Sequence, residues 1–180
     1  MIYLFLAQGF DEIEAVTVID IVRRHSKLRI MTVGVGGKVI TGAHGMKITA
    51  DIEENEVDVS KMEMIVLPGG IPGAENLEKS SYVRDYIGYC NVTGKYIAAI
   101  CAAPMVLGHL KLLEDRTATC YPGFEQELGE NVIYTGNPVE VAGNIITSRG
   151  PGTAMEFALT IVEVLTDSES SKKIRNGLMM

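Results

Sequence analysis

Four short, mostly apolar runs constrain how this chain can fold: Ile2 to Ala7, Leu28 to Val35, Met62 to Leu67 and Tyr96 to Cys101. Each has strand length, and together they lack the alternation of a sheet with one wet face. Between them lie segments that read as helices. Asp11-Glu12-Ile13-Glu14 opens one with acidic residues in its first turn, where the helix dipole favours them, and Arg23-Arg24-His25 closes it with basic ones. Another is predicted around Tyr82 to Cys90, a third over Met105 to Lys111 and a strong one from Thr153 to Leu165. Apolar strands alternating with helices predict an α/β fold, a mostly parallel sheet covered on both faces. Shorter strands are expected at Lys38 to Ile40 paired with Met46 to Ile48, near Thr117 to Cys120, and at Val139 to Ala142 and Ile145 to Thr147. The tail from Asp167 reads as a short helix. With no linker or repeat, residues 1–180 read as one domain, long enough to bury its core without staples.

Charge and cysteine usage remove several function classes. A net charge of −7 argues against a nucleic-acid backbone or an anionic membrane as the main partner. Three cysteines with no CxxC pair make no disulfide framework and fit a reducing, cytoplasmic setting. No apolar run approaches the roughly 20 residues that span a bilayer. Met1 to Ala7 lacks the basic flank and length of a signal peptide. No metal-ligand spacing appears. Gly34-Val35-Gly36-Gly37 leads to a strand rather than a helix N-terminus, so no nucleotide cofactor is expected.

In open α/β sheets ligands sit beyond the carboxyl ends of the strands, and three features fall there. Cys101 ends a strand at a small-residue turn, with Ala99 two before and Ala103 two after, as in a nucleophile elbow. Pro104 suits the first turn of the helix that follows. Pro68-Gly69-Gly70 ends another strand, and an N–H of its second glycine together with that of Ala102 would form an oxyanion hole. Glu14 lies after the first strand. Its apolar neighbours Ile13, Ala15 and Val16 predict a helix buried nearly all round, where a carboxyl would keep its proton and donate to a thiolate. Asp11 and Glu12 are read as serving only the helix dipole. His44, in the Thr41 to Gly45 loop, is a site-lining candidate, whereas His25 reads as a helix-end cation and His109 as a packing or surface residue. Cys90 and Cys120 read as core thiols, so no Cys–His pair is apparent.

In this order, Asp11-Glu12-Ile13-Glu14-Ala15, Val66-Leu67-Pro68-Gly69-Gly70 with Gly73-Ala74-Glu75-Asn76-Leu77, Ala98 to Pro104 and Thr147 to Ala158 resemble the ThiJ/PfpI superfamily. The branch most similar contains the parkinsonism-associated deglycase and its bacterial relatives. That resemblance implies a flavodoxin-like three-layer sandwich of the class I glutamine amidotransferase type and a homodimer, and no cofactor is expected. It also implies a catalytic Cys101 hydrogen-bonded to Glu14, with oxyanion-hole N–H from Gly70. Implied activities are conversion of methylglyoxal to lactate without glutathione, and removal of early glycation adducts from proteins and nucleotides. Redox sensing through the cysteine and chaperone-like activity are implied as well. Where some relatives carry a histidine this chain has Tyr121, and where some carry an arginine after strand two it has His44. Missing that histidine counts against a peptidase. Gly69, Tyr121 and Arg149 complete the residues expected to line the site.

Overall fold

The computed structural model describes residues 1–180. From the amino terminus, β1 (Ile2–Leu6) leads into α1 (Glu12–Arg23), whose N-cap Asp11 accepts the Glu14 N–H at 3.1 Å. β2 (Ile30–Gly34) follows, then the hairpin of β3 (Val39–Thr41) and β4 (Lys47–Thr49), which forms its own two-stranded sheet. Next come β5 (Ile52–Glu53), β6 (Met64–Leu67), α2 (Gly73–Lys79) and α3 (Ser81–Thr93). β7 (Tyr96–Ile100) and α4 (Pro104–His109) precede β8 (Thr117–Ala118) and β9 (Ile133–Tyr134), which pair with each other. The chain ends with β10 (Val139–Ala142), β11 (Ile145–Ser148), α5 (Ala154–Leu165) and α6 (Ser168–Gly177).

The main sheet runs β10-β11-β7-β6-β1-β2-β5, parallel throughout except for β10, which pairs antiparallel to β11. Strand residues alternate between its faces. Tyr3, Phe5, Ile65, Leu67, Ile97 and Ala99 pack on one side against Ala74, Leu77, Val83, Ile87 and Val106 of α2, α3 and α4. Ile2, Leu4, Leu6, Val66, Ala98 and Ile100 pack on the other against Ala15, Val18 and Val22 of α1 and Phe157, Ile161 and Val162 of α5. The two cores hold 24 and 23 buried residues, so neither face is left for water, and this is why the strand sequences are apolar at nearly every position. The three-layer α/β sandwich expected from the sequence is the fold.

One local expectation fails and three short elements were not foreseen. α1 is not buried all round: Ile13 is 59% exposed and Val16 is exposed as well. Only the face carrying Ala15, Val18 and Val22 reaches the core, and residues off that stripe point outward whatever their polarity. α2 went unread because seven residues with mixed polarity leave little periodic signal. β5 and β9 are two residues each, too short to show any.

Candidate active site

The central strand β1 has β2 on one side and β6 on the other. Its helix α1 covers one face while α2, which follows β6, covers the opposite face. The connections therefore diverge at the carboxyl ends of β1 and β6, which opens a crevice there. β7 lies next to β6 and ends at the same edge. Glu14 stands in the first turn of α1, Gly69-Gly70 and Cys101-Ala102 in the loops after β6 and β7, and the structure brings all five together.

Cys101 has φ +66. Four other non-glycine residues share a positive φ, but all of them are exposed, and only Cys101 is buried. Such a conformation costs about 1–3 kcal/mol and persists only where its surroundings enforce it. Here the Cys101 N–H donates to Ser148 O at 2.9 Å and the Tyr121 N–H donates to Cys101 O at 2.8 Å. Gripped on both sides, the residue cannot relax into the strand, and its sulfur is turned toward the crevice. The N–H groups of Gly70 and Ala102 face that sulfur and favour its charged form.

Glu14 is fully buried. Its Oε2 accepts the Gly69 N–H at 2.7 Å, while Gly69 O accepts the Asp11 N–H at 2.9 Å, a reciprocal latch between the loops after β1 and β6. Oε1 is buried without a nitrogen or oxygen partner, and the carboxyl lies against the Cys101 thiol. Burial, with the charge of Asp11 added, pushes the Glu14 carboxyl up to about 7. A side chain on Gly69 would meet the Cys101 Cβ at 2.6 Å and Glu14 Oε2 at 2.9 Å, so only glycine allows this contact.

The thiol itself differs from the sequence expectation. It is 8% exposed, and burial pushes it up, with a charged Glu14 carboxylate pushing further. Against these stand the two N–H donors, which favour the thiolate. The sulfur and the carboxyl thus compete for one proton. Burial leaves that proton mainly on sulfur, and a protonated Glu14 would make the thiolate less costly, because the repulsive charge then vanishes while the amide donors remain.

The site-lining candidates divide. Tyr121 and Arg149 border a cleft of about 240 Å³ that also includes Pro122, Gly150 and Thr153 in its wall. Cys101 is not part of that wall, and the connection runs through the Tyr121 and Ser148 backbone bonds. His44 is not drawn to the thiol. Its ring is 75% exposed and its Nδ1 pairs with Glu12 Oε2 at 2.8 Å. Glu12 corrects an expectation: it is 5% exposed and accepts the backbone N–H of His44 and Met46 besides the ring, so it clamps the hairpin loop rather than merely serving the dipole. His109 bridges Glu78 of α2 and Glu127, and Cys90 and Cys120 are fully buried thiols pushed up to about 12 by burial. No group of three or more His, Cys, Asp or Glu side chains is arranged to hold a metal ion, and no helix is long and apolar enough to cross a membrane.

Comparison with known proteins gives this arrangement a context. The sequence pattern of the DJ-1/PfpI family matches residues 1–164. Protein DJ-1 homolog B of Arabidopsis thaliana is 37% identical over 97% of this chain, which spans 40% of that longer protein. The glutathione-independent glyoxalase DJR-1.2 of Caenorhabditis elegans is 30% identical over 94% of this chain and 90% of its own. The crystal structure of Drosophila melanogaster DJ-1beta superposes with a TM-score of 0.93 at 35% identity, covering 99% of this chain and 97% of that one.

Proposed function

The chain belongs to the DJ-1/PfpI family, and from that premise we propose that it is a cysteine-dependent, glutathione-independent glyoxalase acting on methylglyoxal and on early glycation adducts. One observation carries the reading: a buried cysteine held at positive φ beside two amide donors and a carboxyl raised to about 7, which can both take and give a proton near neutrality.

In this reading the Cys101 thiolate, its proton passed to Glu14, adds to the aldehyde carbon of methylglyoxal. A C–S bond forms and the carbonyl electron pair moves to oxygen, which the N–H groups of Gly70 and Ala102 receive. Glu14 returns its proton to that oxygen. As a carboxylate it then removes the C–H proton of the hemithioacetal and delivers it to the neighbouring carbon, while the hydroxyl proton passes to the former keto oxygen, giving a lactate thioester. Water cleaves the thioester, releasing lactate and restoring the thiol. One water is consumed and no electrons leave the pair of carbons, so neither cofactor nor outside oxidant is required. His44 and His109 are paired with carboxylates, and Tyr121 replaces a base that some relatives carry, so turnover is expected to be modest and peptide-bond chemistry disfavoured.

A second reading uses the same sulfur as a redox sensor. Protonated Glu14 would hold a sulfinate by hydrogen bond, which favours oxidation at Cys101 over the thiols of Cys90 and Cys120. Lactate release from methylglyoxal without glutathione tests the first reading, and undiminished release by Cys101→Ser would sink it. The homodimer implied by the resemblance fits the exposed Ile13, Val16 and Met46, which cluster where Glu12 holds the hairpin loop to α1. Sedimentation of the wild type as a monomer would remove it.

A further inference from the structure

We propose that Arg149 makes the cleft beside Cys101 an anion-binding subsite, so that the carbonyl substrates preferred by this protein carry a carboxylate or phosphate group. The inference rests on the carbonyl-attacking reading above and adds the charge of the substrate to it.

Arg149 differs from the other arginines. Arg23, Arg24 and Arg175 reach carboxylates, and Arg29, Arg84 and Arg116 donate to backbone carbonyls. The Arg149 guanidinium meets no protein acceptor in a chain with 23 acidic residues, and no carboxylate lines the cleft it borders. Its place in the fold ties this guanidinium to the turn that holds Cys101. It follows Ser148, whose carbonyl accepts the Cys101 N–H, and it shares the cleft with Tyr121, whose N–H donates to the Cys101 carbonyl.

The backbone under Arg149 is stiff. Its own N–H donates to Pro138 O at 3.2 Å. Ser148 Oγ bonds Pro138 O at 2.8 Å and Thr153 Oγ1 at 2.7 Å, and Thr153 Oγ1 accepts the Gly150 N–H at 3.1 Å. A guanidinium leaving such an anchored turn offers a planar fork of donors that matches a carboxylate or phosphate in two-point contact. The Tyr121 ring, lying against Gly150, walls off part of the solvent that would otherwise screen the contact. Because the cleft remains open, the preference expected is about tenfold rather than several hundredfold.

Two matched pairs of probes read this directly. The first compares kcat/KM for 4,5-dioxopentanoate, an anionic 2-oxoaldehyde, with that for neutral 2-oxopentanal. The second compares alkylation of Cys101 by iodoacetate and iodoacetamide, followed by mass spectrometry and referenced to the same ratio for glutathione. Wild type should favour the anionic member of each pair by about tenfold over its reference, Arg149→Gln should lose that preference, and Arg149→Lys should keep part of it. Ratios in Arg149→Gln equal to wild type in both pairs would overturn the subsite. If wild type turns over neither aldehyde yet keeps an Arg149-dependent iodoacetate preference, the glyoxalase reading falls and the anion subsite stands.

Discussion

Cys90 and Cys101 are both buried thiols that follow apolar residues, yet their surroundings have little in common. Cys90 closes a turn of α3 in ordinary helical geometry, and its Sγ donates to the Met62 Sδ at 3.3 Å. Only the charge of Lys95 favours a thiolate there, and burial outweighs it, pushing the thiol up to about 12. Cys101 is likewise desolvated, but its backbone is strained, two amides favour a charge on its sulfur, and a carboxyl lies against it. Burial does not separate an inert thiol from a reactive one. The polar groups that accompany the burial do.

The largest test of that contrast is chemical. Cys101→Ser should lower lactate formation on the order of a thousandfold, because a hydroxyl in the same place is far harder to ionise. Cys90→Ser should leave turnover within about twofold. Comparable losses at both positions would mean that the assay reports stability rather than chemistry.

Next in size is the pH dependence that Glu14 imposes on stability. Its carboxyl sits at about 7 in the folded protein against an ordinary 4.5. Below the lower value both folded and unfolded chains hold the proton, and the site costs nothing. Between about 4.5 and 7 the unfolded chain releases its proton while the folded one retains it, so stability falls as pH rises, by about 3 kcal/mol in total. Glu14→Gln removes the titration while its amide oxygen still accepts the Gly69 N–H. Denaturant unfolding of this variant should therefore be flatter across that window and stronger than wild type at pH 8. A wild-type stability that stays level from pH 4.5 to 7.5 would contradict the burial assigned to this carboxyl.

Gly69→Ala probes the same contact by sterics. The added methyl meets Cys101 Cβ at 2.6 Å and Glu14 Oε2 at 2.9 Å, so the thiol and carboxyl must separate. Overpacking of this kind costs about 1–3 kcal/mol. Iodoacetamide should alkylate Cys101 with altered rate and pH dependence while Cys90 stays protected. An unchanged alkylation profile would show that the Glu14 contact does not set the reactivity of the thiol.

How much of this was legible in the sequence follows from what each feature depends on. The elbow is local: Ala99, Ala103 and Pro104 surround Cys101 in the chain, and a sharp strand-to-helix turn needs those residue types. The strands were legible because two covered faces demand apolar residues throughout. Glu12 was misread because the N–H groups it accepts belong to His44 and Met46, which lie more than 30 residues away. Its spacing in α1 carries no sign of them. Ile13 and Val16 were assigned to a core because their hydrophobicity says nothing about which side of the helix the sheet occupies. That Glu14 would hold a proton beside the thiol was read from its apolar neighbours, but that burial also raises the thiol was not, since it depends on how deeply the elbow is covered.

The smallest expected effect concerns the inert thiol alone. At position 90 a serine hydroxyl would sit against Met62 and apolar neighbours, with only a weak sulfur acceptor or a back-bond to the Tyr86 carbonyl one helical turn earlier. Burying a hydroxyl so poorly served costs about 1–2 kcal/mol, which in a chain of this length lowers Tm by about 5 °C. At position 101 the same hydroxyl would find the N–H groups of Gly70 and Ala102 to accept from and the Glu14 carboxyl to donate to, so its cost should be smaller. Thermal unfolding of the two serine variants should therefore rank them opposite to their activities, with Cys101→Ser inactive and stable and Cys90→Ser active and weakened. Equal Tm losses would mean that the polar groups around Cys101 do not serve an uncharged oxygen, and that they are aimed at charge alone.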